Sequence, residues 1–196
     1  MRNLFLTVIA SLAILGGFAG TARAATIADI VAASGGEFDN NRYDYDILLN
    51  AVIAADLVDP LADPDADLTA FAPNDMAFVR LARDFGYQGW DEAEAWDAIV
   101  AVLTDLGGGD PIPVLTDVLL YHVAPERISA VKFFFLSIFR IPIETLQGGT
   151  FQPYFFRLID NEPDLRDPRL FFPINLRADN GYIHTISRVL IPVDLP

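Results

Sequence analysis

Residues 69–78 read TAFAPNDMAF, and within this stretch the pattern changes from that of a strand to that of a helix. Residues 68–72 form a short apolar run typical of a strand, and Pro73 closes it because proline has no N–H to donate to a sheet. Asn74 is a favoured helix N-cap, so a helix is expected to begin near Met76. The stretch therefore predicts a buried strand that leads directly into a capped helix. Its large core-type side chains are Phe71 and Phe78.

More helices are predicted on both sides of this stretch. A short amphipathic helix opens after Thr26, a suitable N-cap, and ends at the Ser-Gly-Gly sequence of residues 34–36. Three further segments carry apolar side chains at helical spacing. They are residues 43–57, 91–106 and 114–123. The first of these is expected to stop before Pro60, because the residue preceding a proline disfavours the helical region.

The rest of the chain predicts strands separated by turn signals. The expected strands are residues 128–132, 134–141, 143–146, 150–158, 170–178 and 182–192. Asn180 and Gly181 are expected to form the two-residue turn of a hairpin, because both tolerate positive φ. Helices come first and strands later, which predicts an α+β fold rather than alternating α/β units.

Residues 133–141 read FFFLSIFRI and carry apolar side chains at both odd and even positions. A half-buried strand alternates apolar and polar residues, so both faces of a strand here need cover. One interpretation covers the second face internally with residues 84–113. The other interpretation makes that face a partner-binding or self-association surface. The residues of this candidate surface are Phe133, Phe135 and Phe139.

Residues 1–24 have the pattern of a secretory signal peptide. Arg2 gives the positive start, residues 4–19 form an uncharged apolar run, and the Ala-Arg-Ala of residues 22–24 is a small-x-small cleavage site. The run is short for a transmembrane helix, and an uncleaved anchor is the alternative. We therefore expect a mature domain of residues 25–196 that is secreted or periplasmic and does not insert into a membrane after cleavage.

The composition excludes several classes of function. The 196 residues are 53% hydrophobic and carry a net charge of −14, which disfavours nucleic acids and anionic membrane surfaces as partners. The absence of cysteine excludes disulfides, thiolate metal sites, iron–sulfur clusters and cysteine nucleophiles. With two histidines, a zinc site of the three-ligand type needs a carboxylate as its third ligand.

Four segments of the chain, taken in order, resemble the signatures of the fasciclin domain family. They are residues 69–78, LLYHV at 119–123, the weaker TLQGG at 145–149 and NGYIHTISRVLIP at 180–192. The resemblance implies a compact α+β domain, a β-sheet wedge with N-terminal helices packed around it. It also implies adhesion or binding of a protein or cell-surface ligand outside the cell, without catalysis and without a cofactor. The matching signature residues, which we expect to be structural, are Thr69, Phe71, Pro73, Asn74, Phe78, Tyr121, His122, Asn180, Gly181 and His184.

The chain departs from the family pattern near the last signature. Ser187 stands where the family often has Asp. Animal adhesion members carry an Asp-Ile pair just before this signature, and the matching positions here are Asn175 and Leu176. Asn175 and Leu176 are therefore candidate partner-binding residues, but the missing carboxylate argues against integrin-type recognition.

Neither histidine predicts catalysis. His122 and His184 both lie in apolar segments, and the chain has no Gly-x-Ser-x-Gly nucleophile elbow to pair with them. A buried imidazole needs hydrogen-bond partners, so we expect both side chains to be structural.

The carboxylates also favour structural interpretations. Asp63, Asp65 and Asp67 alternate like the first ligands of a calcium loop. However, Leu68 replaces the required Gly, and Asn74 stands where the closing Glu belongs. The acids at positions 91, 92 and 94 suit the first turn of a helix, where they complement its dipole. We therefore expect no metal site.

Two alternative functions remain open. Trp90 and Trp96 could stack on a sugar, and carboxylates converging beside them would indicate a carbohydrate-directed binder or a glycosidase-like enzyme. A surface without a pocket or an apolar patch would instead indicate a purely structural envelope protein.

Overall fold

The computed structural model describes residues 25–193, and the first part of this range is mostly helical. The helices are α1 (Ile27–Ser34), α2 (Asp46–Ala54), α3 (Val58–Ala62), α4 (Asp75–Asp84), α5 (Glu92–Leu106), α6 (Ile112–Tyr121) and α7 (Ala130–Phe139). The strands are β1 (Leu68–Pro73), β2 (Val123–Ala124), β3 (Ile143–Glu144), β4 (Thr150–Tyr154), β5 (Arg157–Ile159), β6 (Leu176–Ala178) and β7 (Gly181–Ile186). The predicted α+β class is confirmed.

β1 and β7 form the centre of the main sheet, whose order is β2-β1-β7-β6. They run parallel, with Leu68 opposite Gly181, and a second sheet has the order β3-β4-β5. Side chains alternate along β1, so Ala70 packs on the N-terminal helices whereas Phe71 packs in a second core. The second core consists of Phe71, Tyr121, Ala124, Ile128, Phe133, Ile143, Phe151, Leu158, Ile186 and Leu190.

The helix starts predicted from capping residues are confirmed. The Thr26 hydroxyl accepts from the N–H of Asp29, and the Asp29 carboxylate accepts from the N–H of Thr26 in a capping box. The Asn74 side chain accepts from the N–H of Ala77 and starts α4. Asp91, expected in the first turn of α5, is instead its N-cap. Local side-chain chemistry therefore determines where these helices begin.

The helix predicted for residues 43–57 is shorter than expected. α2 ends at Ala54, and Asp56 follows in the left-handed region with φ 56°. The chain then forms α3, in which Pro60 lies in the first turn. The helix thus stops before Pro60 as expected, but Pro60 is not the cause, because a proline in a first turn interrupts no internal hydrogen bond.

The strands predicted for residues 128–132 and 134–141 are wrong, because this segment is the helix α7. The Ser129 hydroxyl accepts from the N–H of Lys132 and caps the helix, and Arg140 ends it with φ 53°. A run with apolar residues at both odd and even positions is compatible with a helix as well as with a strand buried on two faces.

α7 turns only one narrow stripe toward the core. Phe133 and Ser137, one helical turn apart, are both 1% exposed, and Leu136 packs beside them partly buried. The other large apolar side chains of the helix are exposed. Residues 84–113 do not cover this helix, because α5 packs on α4 and α6 in the other core. The expected internal cover of the Phe-rich segment is therefore not found.

Four other predicted strands are shorter in the structure. The strand predicted for residues 143–146 is limited to β3, Ile143–Glu144. The segment 150–158 is divided into β4 and β5 by a turn at Phe155 and Phe156. Of residues 170–178 only β6 is a strand, and the segment predicted for 182–192 ends as a strand at Ile186.

The hairpin between β6 and β7 is confirmed, but its turn lies one residue earlier than predicted. Ala178 pairs with Gly181, so Asp179 and Asn180 form the connection. Gly181 is required because a Cβ there would overlap the carbonyl oxygen of Leu68 on the neighbouring strand. The buried Asn180 side chain accepts from the N–H of Ile27 at 3.0 Å and donates to two carbonyl oxygens at the end of α3.

The segment interpreted as a signal peptide, residues 1–24, lies outside the described residues, so that interpretation stays a prediction. Within residues 25–193, no helix combines the length and the apolar character needed to cross a membrane.

Candidate binding surface

The charge of the chain is distributed unevenly. Residues 25–125 contain three basic and nineteen acidic residues, a net charge of −16. Residues 126–196 contain eight of each, a net charge of zero. The helical first part is therefore strongly acidic, whereas the part that contains α7 and most of the strands can present apolar and basic groups.

The outward face of α7 is apolar. Phe135 and Phe139 are 56% and 61% exposed, and their ring centroids lie 4.7 Å apart. Phe133, the third residue of the predicted surface, is instead buried against Phe71 at 5.9 Å between ring centroids. Phe133 therefore belongs to the core, and only two of the three predicted residues reach the surface.

More aromatic side chains are exposed beside α7. α7 packs on β4, and the Arg140 guanidinium at the end of the helix lies 4.2 Å from the Tyr154 ring centroid. The next residues, Phe155 and Phe156, are exposed at the β4–β5 turn. Phe171 and Phe172 are also exposed. They lie near the β4–β5 turn because the N–H of Leu170 donates to the carbonyl of Phe156 at 2.8 Å.

An arginine-rich cleft of about 920 Å³ adjoins these aromatic residues. Five of the eleven basic residues of the segment 25–196 line it, with Asp160, Glu162 and Asp167. The five are Arg80, Arg157, Arg166, Arg169 and Arg188. Arg157 pairs with Asp167, and burial raises the pKa of Asp160 to about 6. The cleft is therefore a basic region on an acidic protein.

We call this region the aromatic–arginine surface. It comprises Phe135, Phe139, Phe155, Phe156, Phe171, Phe172, Arg157, Arg166 and Arg169. Sequence reasoning found only the first two residues, because the others lie in loops that come together through the β4–β5 turn. Ser187, where the family often has Asp, also lines the cleft and contributes no negative charge.

Asn175 and Leu176 have internal contacts. The Asn175 side chain accepts from the N–H of Ala130, the first residue of α7, at 2.8 Å. Its backbone N–H donates to His184 Nδ1 at 3.2 Å. Leu176 is half-buried against the helical core. These contacts position α7 relative to β7, and a role of Asn175 and Leu176 in partner binding stays a prediction.

Both histidines use both ring nitrogens inside the protein. His122 Nδ1 donates to the carbonyl of Val118 at 2.7 Å, and Nε2 accepts from the N–H of Leu190 at 2.8 Å. His184 Nε2 donates to the carbonyl of Ile128 at 2.7 Å. Burial lowers the pKa of His122 to about 4 and also lowers the pKa of His184, so both imidazoles are neutral near pH 7.

Two apolar clefts of about 430 and 380 Å³ lie on either side of His122. Trp96 and Asp117 line the first, whereas Trp90 lies outside both and stacks under Arg83 at 4.2 Å. The tryptophans and carboxylates therefore do not converge on one cleft. This arrangement does not favour the carbohydrate-directed alternative.

The loop of alternating aspartates is exposed and does not converge on a point. Asp67 pairs with Arg127, and Asp63 accepts from the N–H of Asp65 at 2.9 Å. Within residues 25–193, the carboxylate groups close enough to share a cation lie elsewhere, around Glu92 at the start of α5. Sequence reasoning placed Glu92 in an ordinary first turn and missed this cluster.

Comparison with known proteins agrees with the fold. The family model for the fasciclin domain matches residues 43–192, and the chain belongs to the fasciclin domain family. No curated protein sequence matches this chain.

One similar solved structure is described as a FAS1 domain pair from the insect cell adhesion molecule fasciclin I. The two structures share 12% sequence identity with a TM-score of 0.55, over 86% of this chain and 51% of that one. The chain thus spans about half the length of that structure. At this identity the likeness concerns the fold alone.

Proposed function

We propose that this protein is an exported binding module of the fasciclin type, which acts by contact with a protein or cell-surface ligand rather than by catalysis. The observation that carries the proposal is the aromatic–arginine surface. Aromatic residues and arginine are the side chains most enriched at the centres of protein interfaces. Exposed aromatic groups in contact with one another are also uncommon on monomeric surfaces.

The charges support one kind of partner. Five arginines face three carboxylates in the cleft, so the surface favours a protein that presents acidic groups next to apolar ones. The acidic helices on the remainder of the molecule favour solubility. They also repel an acidic partner that approaches any surface other than the aromatic–arginine surface. A second copy of the chain is the alternative occupant.

Binding rather than catalysis agrees with the state of the histidines. Each imidazole has both nitrogens occupied by main-chain groups, so neither is free to transfer a proton to or from a substrate. Fasciclin domains generally mediate protein interactions, and their homologues are typically extracellular or surface proteins.

The test compares two double variants. Phe135→Ser with Phe139→Ser removes exposed aromatic groups from α7, and Ile53→Ser with Val58→Ser removes exposed apolar groups from the acidic half. We expect labelled wild-type protein to bind envelopes of the source cells saturably. The first variant should bind at least tenfold more weakly, and the second should bind like wild type. Equal binding by all three proteins, with no change of oligomeric state, contradicts the proposal.

Two further readouts complete this test. Light scattering identifies self-association, because a second copy as the partner produces an oligomer that the Phe135→Ser, Phe139→Ser variant loses. N-terminal sequencing of the exported protein should find Ala25 as its first residue. A mature protein that keeps residues 1–24 contradicts signal cleavage.

A further inference from the structure

Five carboxylates meet where α2, α4 and α5 begin. One oxygen from each of Asp39, Asp46 and Glu92 lies within 4.8 Å of the others. The same holds for Asp44, Asp75 and Glu92. Glu92 therefore belongs to both groups and joins them into one cluster.

Main-chain N–H groups hold three of these carboxylates in place. Asp46 accepts from Gly36 at 2.6 Å, and Glu92 accepts from Asn40 at 2.8 Å. Asp75 accepts from the first residues of α2, at 2.8 Å from Ile47 and 3.2 Å from Asp46. These bonds fix the orientation of the three side chains, because each N–H donates to a defined carboxyl oxygen.

Three other oxygens of the cluster, one each on Asp44, Asp46 and Glu92, are buried and accept no hydrogen bond. Asp46 is 1% exposed and Glu92 is fully buried, yet Asp46 Oδ2 and Glu92 Oε1 accept no hydrogen bond. Asp44 Oδ1 is likewise buried without a partner. Buried polar atoms are almost always satisfied, so three unsatisfied oxygens in one place require an explanation.

No basic side chain supplies that explanation. None of the four ion pairs found within residues 25–193 includes a carboxylate of this cluster. The cluster thus concentrates negative charge that a positive group would stabilise.

We propose that this cluster is a binding site for a hard divalent cation, Ca²⁺ in particular, with Glu92, Asp46 and Asp39 as its principal ligands. All the donors are oxygens, which suits Ca²⁺ or Mg²⁺ and not the softer metals. Ca²⁺ is the better fit because Mg²⁺ keeps most of its water, whereas this site is buried and rich in carboxylates.

The bound ion would join three separate parts of the chain: the loop at residues 36–41, the start of α2 and the start of α5. The loop approaches Asp46 closely, because a Cβ at Gly35 would overlap Asp46 Oδ1. Asn40 accepts from the N–H of Glu92 at 3.3 Å in addition to its own donation. The ion would therefore hold the loop at residues 36–41 against the N-termini of α2 and α5.

Calcium titration of the purified protein after chelation with EDTA tests the proposal. We expect saturable binding near one ion per chain, with a dissociation constant between about 10⁻⁵ and 10⁻³ M. Glu92→Gln and Asp46→Asn keep the size of the side chain and should weaken binding at least tenfold. Asp97→Asn, an exposed acid on α5, and Asp65→Asn, in the exposed loop, are the matched controls and should bind like wild type.

Thermal melting separates this role from a merely structural one. Without Ca²⁺, Glu92→Gln should melt no lower than wild type, because it removes one of several repelling charges. With saturating Ca²⁺, wild type should gain several degrees and Glu92→Gln should not. The absence of any calcium effect on wild type up to 10 mM overturns the proposal. So does binding that Glu92→Gln and Asp46→Asn retain, or that Asp65→Asn abolishes.

Discussion

Two regions of the molecule, the two histidines and the carboxylate cluster at the start of α5, satisfy their buried polar groups in different ways. His122 and His184 are neutral, and both nitrogens of each imidazole have main-chain partners. In the cluster, Asp46 and Glu92 each have one oxygen fixed by a main-chain N–H and the other oxygen without a hydrogen bond. Buried polar groups are thus fully satisfied within the fold in one region and leave acceptor atoms unsatisfied in the other.

The largest effect should distinguish two phenylalanines of α7. Phe133→Ala removes a fully buried ring and is expected to lower the free energy of unfolding by about 3–5 kcal/mol. Phe135→Ala removes an exposed ring and should change it by less than about 0.5 kcal/mol. Urea denaturation of both variants checks this. Equal losses would place both rings in the core and remove α7 from the binding surface.

The pH dependence of stability should reveal the neutral His122. Its pKa is about 4 when folded and 6.5 in the reference state, so the unfolded chain binds more protons between these values. The contribution of the neutral His122 to the free energy of unfolding is therefore fully present above pH 6.5. It is lost as the pH falls toward 4, by at most about 3 kcal/mol.

Urea denaturation at several pH values compares wild type with His122→Gln. The variant should lose roughly 1–3 kcal/mol at pH 7 and approach wild type near pH 4. Asp160, whose raised pKa acts in the opposite direction, is present in both proteins and cancels from the difference. A constant difference between the two proteins across this range would contradict the neutral, buried imidazole.

The Asn180 side chain should stabilise the helical segment 25–125, although Asn180 itself lies in the segment 126–193. Asn180→Ala removes an acceptor for the Ile27 N–H and two donors to the end of α3, with an expected loss of about 2 kcal/mol. Hydrogen exchange should show greater opening of α1 and α3 than of α7. Opening confined to the β6–β7 hairpin would show that the side chain does not connect the two segments.

The smallest effect is expected in the aspartate loop. Asp65→Asn changes an exposed side chain and should leave the free energy of unfolding within about 0.5 kcal/mol of wild type. Thermal melting with and without Ca²⁺ measures this. A calcium-dependent difference would move the cation site from the buried cluster to this loop.

Sequence reasoning succeeded where the determining chemistry is local. The Thr26 and Asn74 caps could be predicted because a cap depends on residues three positions apart. It failed at α7, where the capping residue Ser129 was outweighed by a run of Phe and Ile with high strand propensity.

The acid cluster was beyond local reasoning. Glu92 lies beside Asp91 and Glu94, and all three suit a first helical turn equally well. Only the packing of α5 against the loop at Asn40 separates the buried carboxylate from its exposed neighbours. The aromatic–arginine surface is similar, because the β4–β5 turn and the segment at Phe171 meet only in three dimensions.

The parallel pairing of β1 with β7 has a consequence for how the chain is made. β1 lacks its central neighbour until β7 has been synthesised. The Ile27 N–H likewise has its acceptor, the Asn180 side chain, 153 residues later in the chain. Contacts so distant in sequence form late, so a growing chain on the ribosome cannot complete its central sheet before β7 has been synthesised. For the export proposed above, this order of events would keep the chain unfolded enough to pass through a secretion channel.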